Sequence, residues 1–311
     1  MSSFPLAHVR SAVLFAWIGA CAPDRTSLAN DTSDDSAGPP VCPTLGDGKA
    51  LGQLASGDIR EASGLVASSA NTGTLWVNND SGDTARLFAI SEAGALRGIF
   101  KVTGANAQDW EDVALGVGTD RDFLYAGDIG DNDRARGEVQ VYRFPEPNVA
   151  TEDAVTAVET FHFTYPDGAH DVETLLVDPL TADLYIVTKE WDGNSKVFRA
   201  ASPLVDGETR SLEPVATLAF GSEALPGATL ATAGDVSRDG REIVVRTYTS
   251  AFVFLRDPAA PLYKAFGGTP CPVPLAEEGQ GEAIGFRPDG KGYYTVSEGK
   301  HATVYGYAPV E

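Results

Sequence analysis

The sequence predicts an all-β protein, a five-bladed β-propeller closed by an N-terminal strand that completes the last blade. Three observations predict it. First, a unit of two short apolar runs joined by a polar turn, then a third apolar segment, occurs five times. Period-two runs bounded by turn residues are strands. Second, Ser63, Glu111, Glu173, Gly234 and Glu282 align at the start of the first run of each unit, at steps of 48, 62, 61 and 48 residues. A repeat of roughly 40–50 residues with about four short strands is the propeller signature. Third, the chain holds 33 Gly and 19 Pro with a single Met, as a turn-rich β protein does.

Residues 1–21 read as an export signal. Arg10 supplies the positive start and 12–18 a short apolar core, and Ile18-Gly19-Ala20-Cys21 reads as a bacterial lipobox in which Cys21 is lipidated. The apolar run is too short to span a bilayer. Residues 22–41 are small, polar and acidic with paired prolines, a disordered tether. Residues 42–311 are the propeller.

Cys42 and Cys271 remain once Cys21 is set aside, and an even pair in an exported chain predicts a disulfide. Both stand in Cys-Pro loops, before the first blade and before the last. Residues 49–54 form a strand ahead of blade one. Blade five has three strands of its own, so that N-terminal strand closes the ring and leaves no exposed edge. Closure also brings Cys42 to Cys271.

Blade one covers 61–102. Blade two starts at Asp109 and ends with a strand at 158–163, after an insertion over 145–157. Blade three covers 170–220 and blade four 230–266. The Pro-rich stretch 267–274 links to blade five, 281–310. Asp239-Gly240 and Asp289-Gly290 mark tight hairpins. Trp76, Tyr125, Tyr185 and Tyr293 recur in the second strands, where aromatics pack between blades. No segment has a helical period.

The net charge of −21 excludes nucleic acid as a partner, because binding it needs a basic patch. Acidic excess suits an exported domain and bound cations. The chain is expected in the cell envelope as a monomer. Its only membrane contact is the lipid anchor, and its partner is a small molecule or an envelope protein.

The starts of the innermost strands surround the axis of a propeller. Here that ring holds Glu111, Glu173 and Glu282 with Ser63 and the backbone at Gly234. Two like charges about 4 Å apart cost about 4 kcal/mol at a surface-like dielectric. Converging carboxylates hold protons, spread apart or bind a cation. Oxygen donors without His or Cys favour a hard cation, and Ca²⁺ takes about 6–8 of them. A Ca²⁺ on the axis is the expectation; carboxylates that cap strand-end amides or line a watery channel are the alternative.

Second-strand ends fall on the same face, which gathers Asn79, Asp80, Asp109, Asp128, Asp131, Asn132, Lys189 and Glu190 as a ligand face. The 128–133 loop lacks the spacing of an EF-hand. It is a solvated loop or a second cation site. His170 and His301 lie near the acidic face as general-base candidates. No G-x-S-x-G, phosphate loop or zinc spacing accompanies them. Two functions stay open: a binding or scaffold protein with a structural Ca²⁺, and a Ca²⁺-dependent hydrolase of phosphoester, glycoside or lactone substrates.

Two resemblances add to this. DWEDVALG…LYAGDIGDN, HDVETLLVDP and GQGEAIGFRPDGKGYYTVSEG together resemble a bacterial family of exported propeller lipoproteins. The ring order is similar to the calcium-activated nucleotidase (apyrase) family, a five-bladed propeller with Ca²⁺ on its axis. Its Leu-Ser-Glu-Leu is matched by Ala62-Ser63-Gly64-Leu65, and its Glu-Gly-Ile-Glu-Phe by Glu282-Ala283-Ile284-Gly285-Phe286. Its Leu-Tyr-Val-Gly-Gly is matched by Leu124-Tyr125-Ala126-Gly127-Asp128, and its His-Glu-Ser loosely by Val172-Glu173-Thr174. The resemblance implies Ser63, Glu111, Glu173 and Glu282 as axial ligands, with Gly234 or Thr232 replacing a fourth-blade serine. The family's Asp-Asp-Arg-Thr-Gly reads Asn79-Asp80-Ser81-Gly82 here, without the arginine a triphosphate needs. The metal site therefore carries over better than nucleotide hydrolysis.

Overall fold

Five short apolar runs become the inner strands of five sheets: Ala62–Ala67, Trp110–Gly116, Val172–Val177, Ala231–Val236 and Gly281–Phe286. Each packs against the inner strands of the blades on both sides, so the ring is closed. They are buried along almost their whole length, which is why they read as apolar runs. The structure is a computed structural model and describes residues 41–221 and 227–310. The export signal, Cys21 and residues 22–40 of the expected tether lie outside the described residues.

Each inner strand pairs antiparallel with a second strand and that with a third, giving five sheets of four or five strands. A separate apolar cluster fills each gap between neighbouring blades. Trp76 meets Trp110 and Phe144 between blades one and two, and Leu65 and Phe88 meet Tyr294 and Val296 between blades one and five. The second-strand aromatics Trp76, Tyr125, Tyr185 and Tyr293 all sit in such clusters.

The N-terminal strand Lys49–Gln53 pairs antiparallel with the last strand of blade five, Lys49 facing Gly306 and Gln53 facing Thr303. Cys42 is disulfide-bonded to Cys271 with the Cα atoms 5.5 Å apart. The bridge pins the closing segment to the outer strand of blade four, beside the blade that segment completes. A disulfide fits an oxidising, extracytoplasmic compartment. Among the described residues no helix is long and apolar enough to cross a membrane.

Two details differ from the sequence reading. Leu262–Gly267 is a 3-10 helix, and the fourth strand of blade four is Cys271–Val273, inside the stretch read as a linker. Pro272 has no N–H to donate, which an outer strand tolerates. The insertions also do more than loop out. Ala154–Val155 adds in parallel to the outer strand of blade one, and Thr209–Ser211 to that of blade two. Each covers an edge that would otherwise be open.

Candidate metal centre

Every inner strand carries a register shift in its first turn: between Ala62 and Gly64, Trp110 and Val113, Val172 and Thr174, Ala231 and Ala233, and Gly281 and Ala283. A bulge leaves a residue out of the ladder and re-aims its side chain. The residues so released are Ser63, Glu111 with Asp112, Glu173, Thr232 and Glu282. The fourth-blade position is therefore Thr232. Gly234 lies two residues further along, where its N–H points at Asp112 Oδ2 at 3.4 Å.

A second tier stands one residue past the end of each second strand: Asp80, Ile129, Lys189, Tyr248 and Glu298. Backbone bonds hold four of the five to the start of their own inner strand: Asp80 N to Glu61 O, Ile129 N to Asp109 O, Lys189 N to Asp171 O and Glu298 N to Gln280 O.

The tiers interlock. Ser63 Oγ donates to Glu111 Oε2 at 3.1 Å. The Lys189 ammonium bonds Glu173 Oε1 and donates to the Tyr248 hydroxyl at 3.0 Å. Tyr248 in turn donates to Glu282 Oε1 at 2.7 Å. Thr232 Oγ1 donates to Gly281 O at 3.0 Å. Among the described residues no N–H or hydroxyl donor reaches the second oxygens of Glu173 and Glu282, which are buried; the Glu298 carboxyl hydrogen-bonds the Glu282 carboxylate while it holds its proton. Asp80, Asp109 and Glu111 bring carboxylate oxygens within 4.8 Å of one another, and so do Asp80, Glu282 and Glu298. Asp80 belongs to both groups. The lower tier is sealed, whereas Asp80, Asp109 and Glu298 are half-exposed.

This is a strained charge arrangement. Two carboxylates about 4.8 Å apart repel by roughly 3–4 kcal/mol at an effective dielectric of 20. Burial, then the neighbouring carboxylates, push Glu111 well above the usual carboxylate range. Burial does the same to Glu173 although Lys189 opposes it. Burial is also the main cause at Asp80, raised to about 6, and at Glu298, raised to about 8 beside Glu282. Asp109 is raised too, by burial, with Arg136 opposing. Burial works against the Lys189 charge, but Glu173 and Tyr248 outweigh it and hold the ammonium protonated. The donors are oxygens only, matching a hard cation. Gly130 backs the cluster: a Cβ there would meet Glu111 Oε1 at 2.3 Å and the Asp109 carboxyl at 2.6 Å.

The other expected residues have local partners. Asn79 accepts from Arg60 N and Glu61 N and donates to Asp58 O and Asp83. Asp128 pairs with Arg136 at 2.9 Å and accepts from Asp109 N. Asp131 accepts from Ala135 N and Arg136 N, and Asn132 is exposed. The 128–133 loop thus meets its own amides and Arg136. Glu190 pairs with Arg134 at 2.8 Å. His170 has a carboxylate at each ring nitrogen, Asp167 at 3.0 Å and Glu190 at 3.4 Å, and packs on Tyr165 and Phe198. His301 Nδ1 is bound at Leu54 O, 2.8 Å away.

The sequence reading missed Tyr248 and Asp112. Tyr248 follows EIVVRT as Lys189 follows LYIVT, and that equivalence is its signal. Asp112 reaches across the channel: Oδ2 accepts from Leu175 N at 3.0 Å and from Gly234 N, tying blade two to blades three and four.

No family model matches the chain, and no curated protein matches it. Neither resemblance drawn from the motifs thus gains a family-level match. Among solved structures, a gluconolactonase from Xanthomonas campestris is 14% identical with a TM-score of 0.46, over 88% of this chain and 98% of that one. Raptor from Chaetomium thermophilum is 12% identical with a TM-score of 0.46, over 87% of this chain, which spans 30% of that protein's length.

Proposed function

We propose that this protein is an exported, envelope-anchored propeller that takes up Ca²⁺ at the acidic mouth of its axis and works as a binding protein. The observation that carries the reading is the pair of buried, unpartnered oxygens, Glu173 Oε2 and Glu282 Oε2, in a ring of carboxylates. A buried acceptor left without a donor costs about 1–3 kcal/mol, more when charged. A cation removes that cost and the mutual repulsion together.

The binding role is supported by the sealed lower tier and by a cavity at the other end of the inner strands. That cavity has a volume of about 310 Å³. Val66, Leu115, Val236 and Phe286 wall it, with Arg238 and Arg287 beside them. Its size and mixed lining suit a small molecule.

A hydrolase is the second reading, and one observation favours it. Asp80, Asp109 and Glu298 are half-exposed, so substrate and water can reach the upper tier. Calorimetry of the full chain with Ca²⁺, beside Glu111→Gln and Glu173→Gln, tests the proposal. Saturable binding weakened at least tenfold in both variants is expected. Absence of binding in the parent would remove the metal site. Chelator-sensitive turnover of a lactone or phosphoester would move the assignment to the second reading.

A further inference from the structure

The two carboxylate groups at the acidic mouth draw on both tiers and share one member. Asp80 stands within 4.8 Å of Asp109 and Glu111 on one side, and within 4.8 Å of Glu282 and Glu298 on the other. Asp109 and Glu111 come from blade two, Glu282 and Glu298 from blade five, and Asp80 from blade one between them. Among the described residues no guanidinium or ammonium is hydrogen-bonded to any of these five carboxylates, and the Lys189 ammonium reaches Glu282 Oε1 only through Tyr248. Lys189 is committed to Glu173.

We propose that the acidic mouth holds two divalent cations bridged by the Asp80 carboxylate, one against Asp109 and Glu111 and one against Glu282 and Glu298. The inference rests on the axial cation reading and extends it from one ion to two. Three observations carry it. The two groups are distinct in every member but Asp80, so one ion at the first leaves Glu282 and Glu298 uncompensated. The five carboxylates carry five negative charges when ionised; one divalent ion leaves three, two leave one. Finally, Glu282 Oε2, in a residue only 3% exposed, has no N–H or hydroxyl donor among the described residues, and Glu282 belongs to the second group, where the neighbouring Glu298 carboxyl can serve it only while protonated. A single ion placed at Asp109 and Glu111 gives that oxygen nothing.

Asp80 suits a bridge. It lies on a turn at the blade-one rim, and among the described residues its side chain engages only the N–H of Ser81, which leaves lone pairs on both oxygens. Paired ions about 3.5–4 Å apart are the arrangement that clamps a phosphoryl or carboxyl oxygen on both sides. The substrate class this favours, if the mouth is catalytic, is an oxyanion ester.

The experiment is calorimetric stoichiometry of the full chain with Ca²⁺, beside Asp80→Asn, Asp109→Asn and Glu298→Gln. Two Ca²⁺ per chain are expected for the parent, one for Asp109→Asn, one for Glu298→Gln, and at least a tenfold weakening of both in Asp80→Asn. One Ca²⁺ per chain in the parent would overturn the second ion and leave the axial reading standing; none would overturn both. Mn²⁺ supplies a check independent of the variants. Its paramagnetic resonance spectrum is expected to change from isolated to spin-coupled between one and two equivalents. Two equivalents of uncoupled Mn²⁺ would overturn the shared Asp80.

Discussion

Lys189 and Tyr248 occupy the same position on neighbouring blades, one residue past the second strand, and a 3.0 Å hydrogen bond joins them. The ammonium also holds Glu173, and the phenol donates its own hydrogen bond to Glu282. One fixed positive charge is thus wedged into a ring of carboxylates. It neutralises Glu173 and leaves the opposite side of the ring unpaid for.

Lys189→Met should therefore lower the stability of the metal-free protein by about 3–5 kcal/mol, because Glu173 becomes a buried charge without its partner. Ca²⁺ should recover a larger share of that loss than it adds to the parent, since the variant ring is one charge more negative. Thermal unfolding with chelator and with excess Ca²⁺ reads both effects. Equal Ca²⁺ shifts in parent and variant would count against a cation seated near Glu173.

The raised carboxyls fix a pH dependence. Asp80 lies at about 6, Glu298 at about 8 and Asp235, buried, at about 7. Unfolded carboxyls titrate near 4. Between pH 4 and 8 the folded chain therefore holds protons that the unfolded chain has released. Stability of the metal-free protein should fall as pH rises through this window. Saturating Ca²⁺ should flatten the fall, because the ion replaces the protons at Asp80 and Glu298. Urea unfolding at pH 5 and 8, with chelator and with Ca²⁺, measures it; a metal-free protein more stable at pH 8 would refute the sign.

Asp112 is expected to matter for the fold rather than for the ion. Its carboxylate accepts from Val113 N, Leu175 N and Gly234 N. Asp112→Ala leaves these amides buried without an acceptor and should cost about 2–4 kcal/mol. Asp112→Asn keeps one acceptor oxygen and should cost less than half as much. Denaturant midpoints of the two variants decide; equal losses would mean the side chain's volume, not its hydrogen bonds, is what the channel needs.

Reducing Cys42–Cys271 should cost about 2–5 kcal/mol, since the bridge restrains a very long stretch of unfolded chain. The Cys42→Ser, Cys271→Ser double variant should melt where the reduced parent melts. It should also be insensitive to reductant. A far-UV spectrum unchanged from the parent would show that the strand pairing of Lys49–Gln53 closes the ring by itself.

The strands were largely legible because burial on two faces writes a local pattern. Runs such as 175–177 and 184–187 are apolar throughout and lie in strands bounded by turns. The fourth strand of blade four was not legible. Cys271–Val273 is three residues long with a proline at its centre, and its strand character comes only from Ala251–Leu255 beside it. The ring position in blade four stood between Gly234 and Thr232. Gly234 and Thr232 share a strand phase, so a period-two alignment does not separate them. The bulge that releases Thr232 shows only in the pairing with the second strand.

The number of blades, the closing strand, the cysteine pairing and three of the carboxylates at the axis are written in the chain. These follow from apolar period, turn chemistry and counting, which act over a few residues. Which groups of the acidic face approach the glutamates (Asp80, Asp109 and Glu298, not Asp128 or Asp131), that Lys189 and Tyr248 divide the ring, and that Asp112 ties three blades came from the assembled ring. Those meetings join strands dozens of residues apart. Their distances are set by ring closure and by bulge geometry, neither of which leaves a mark in the local pattern.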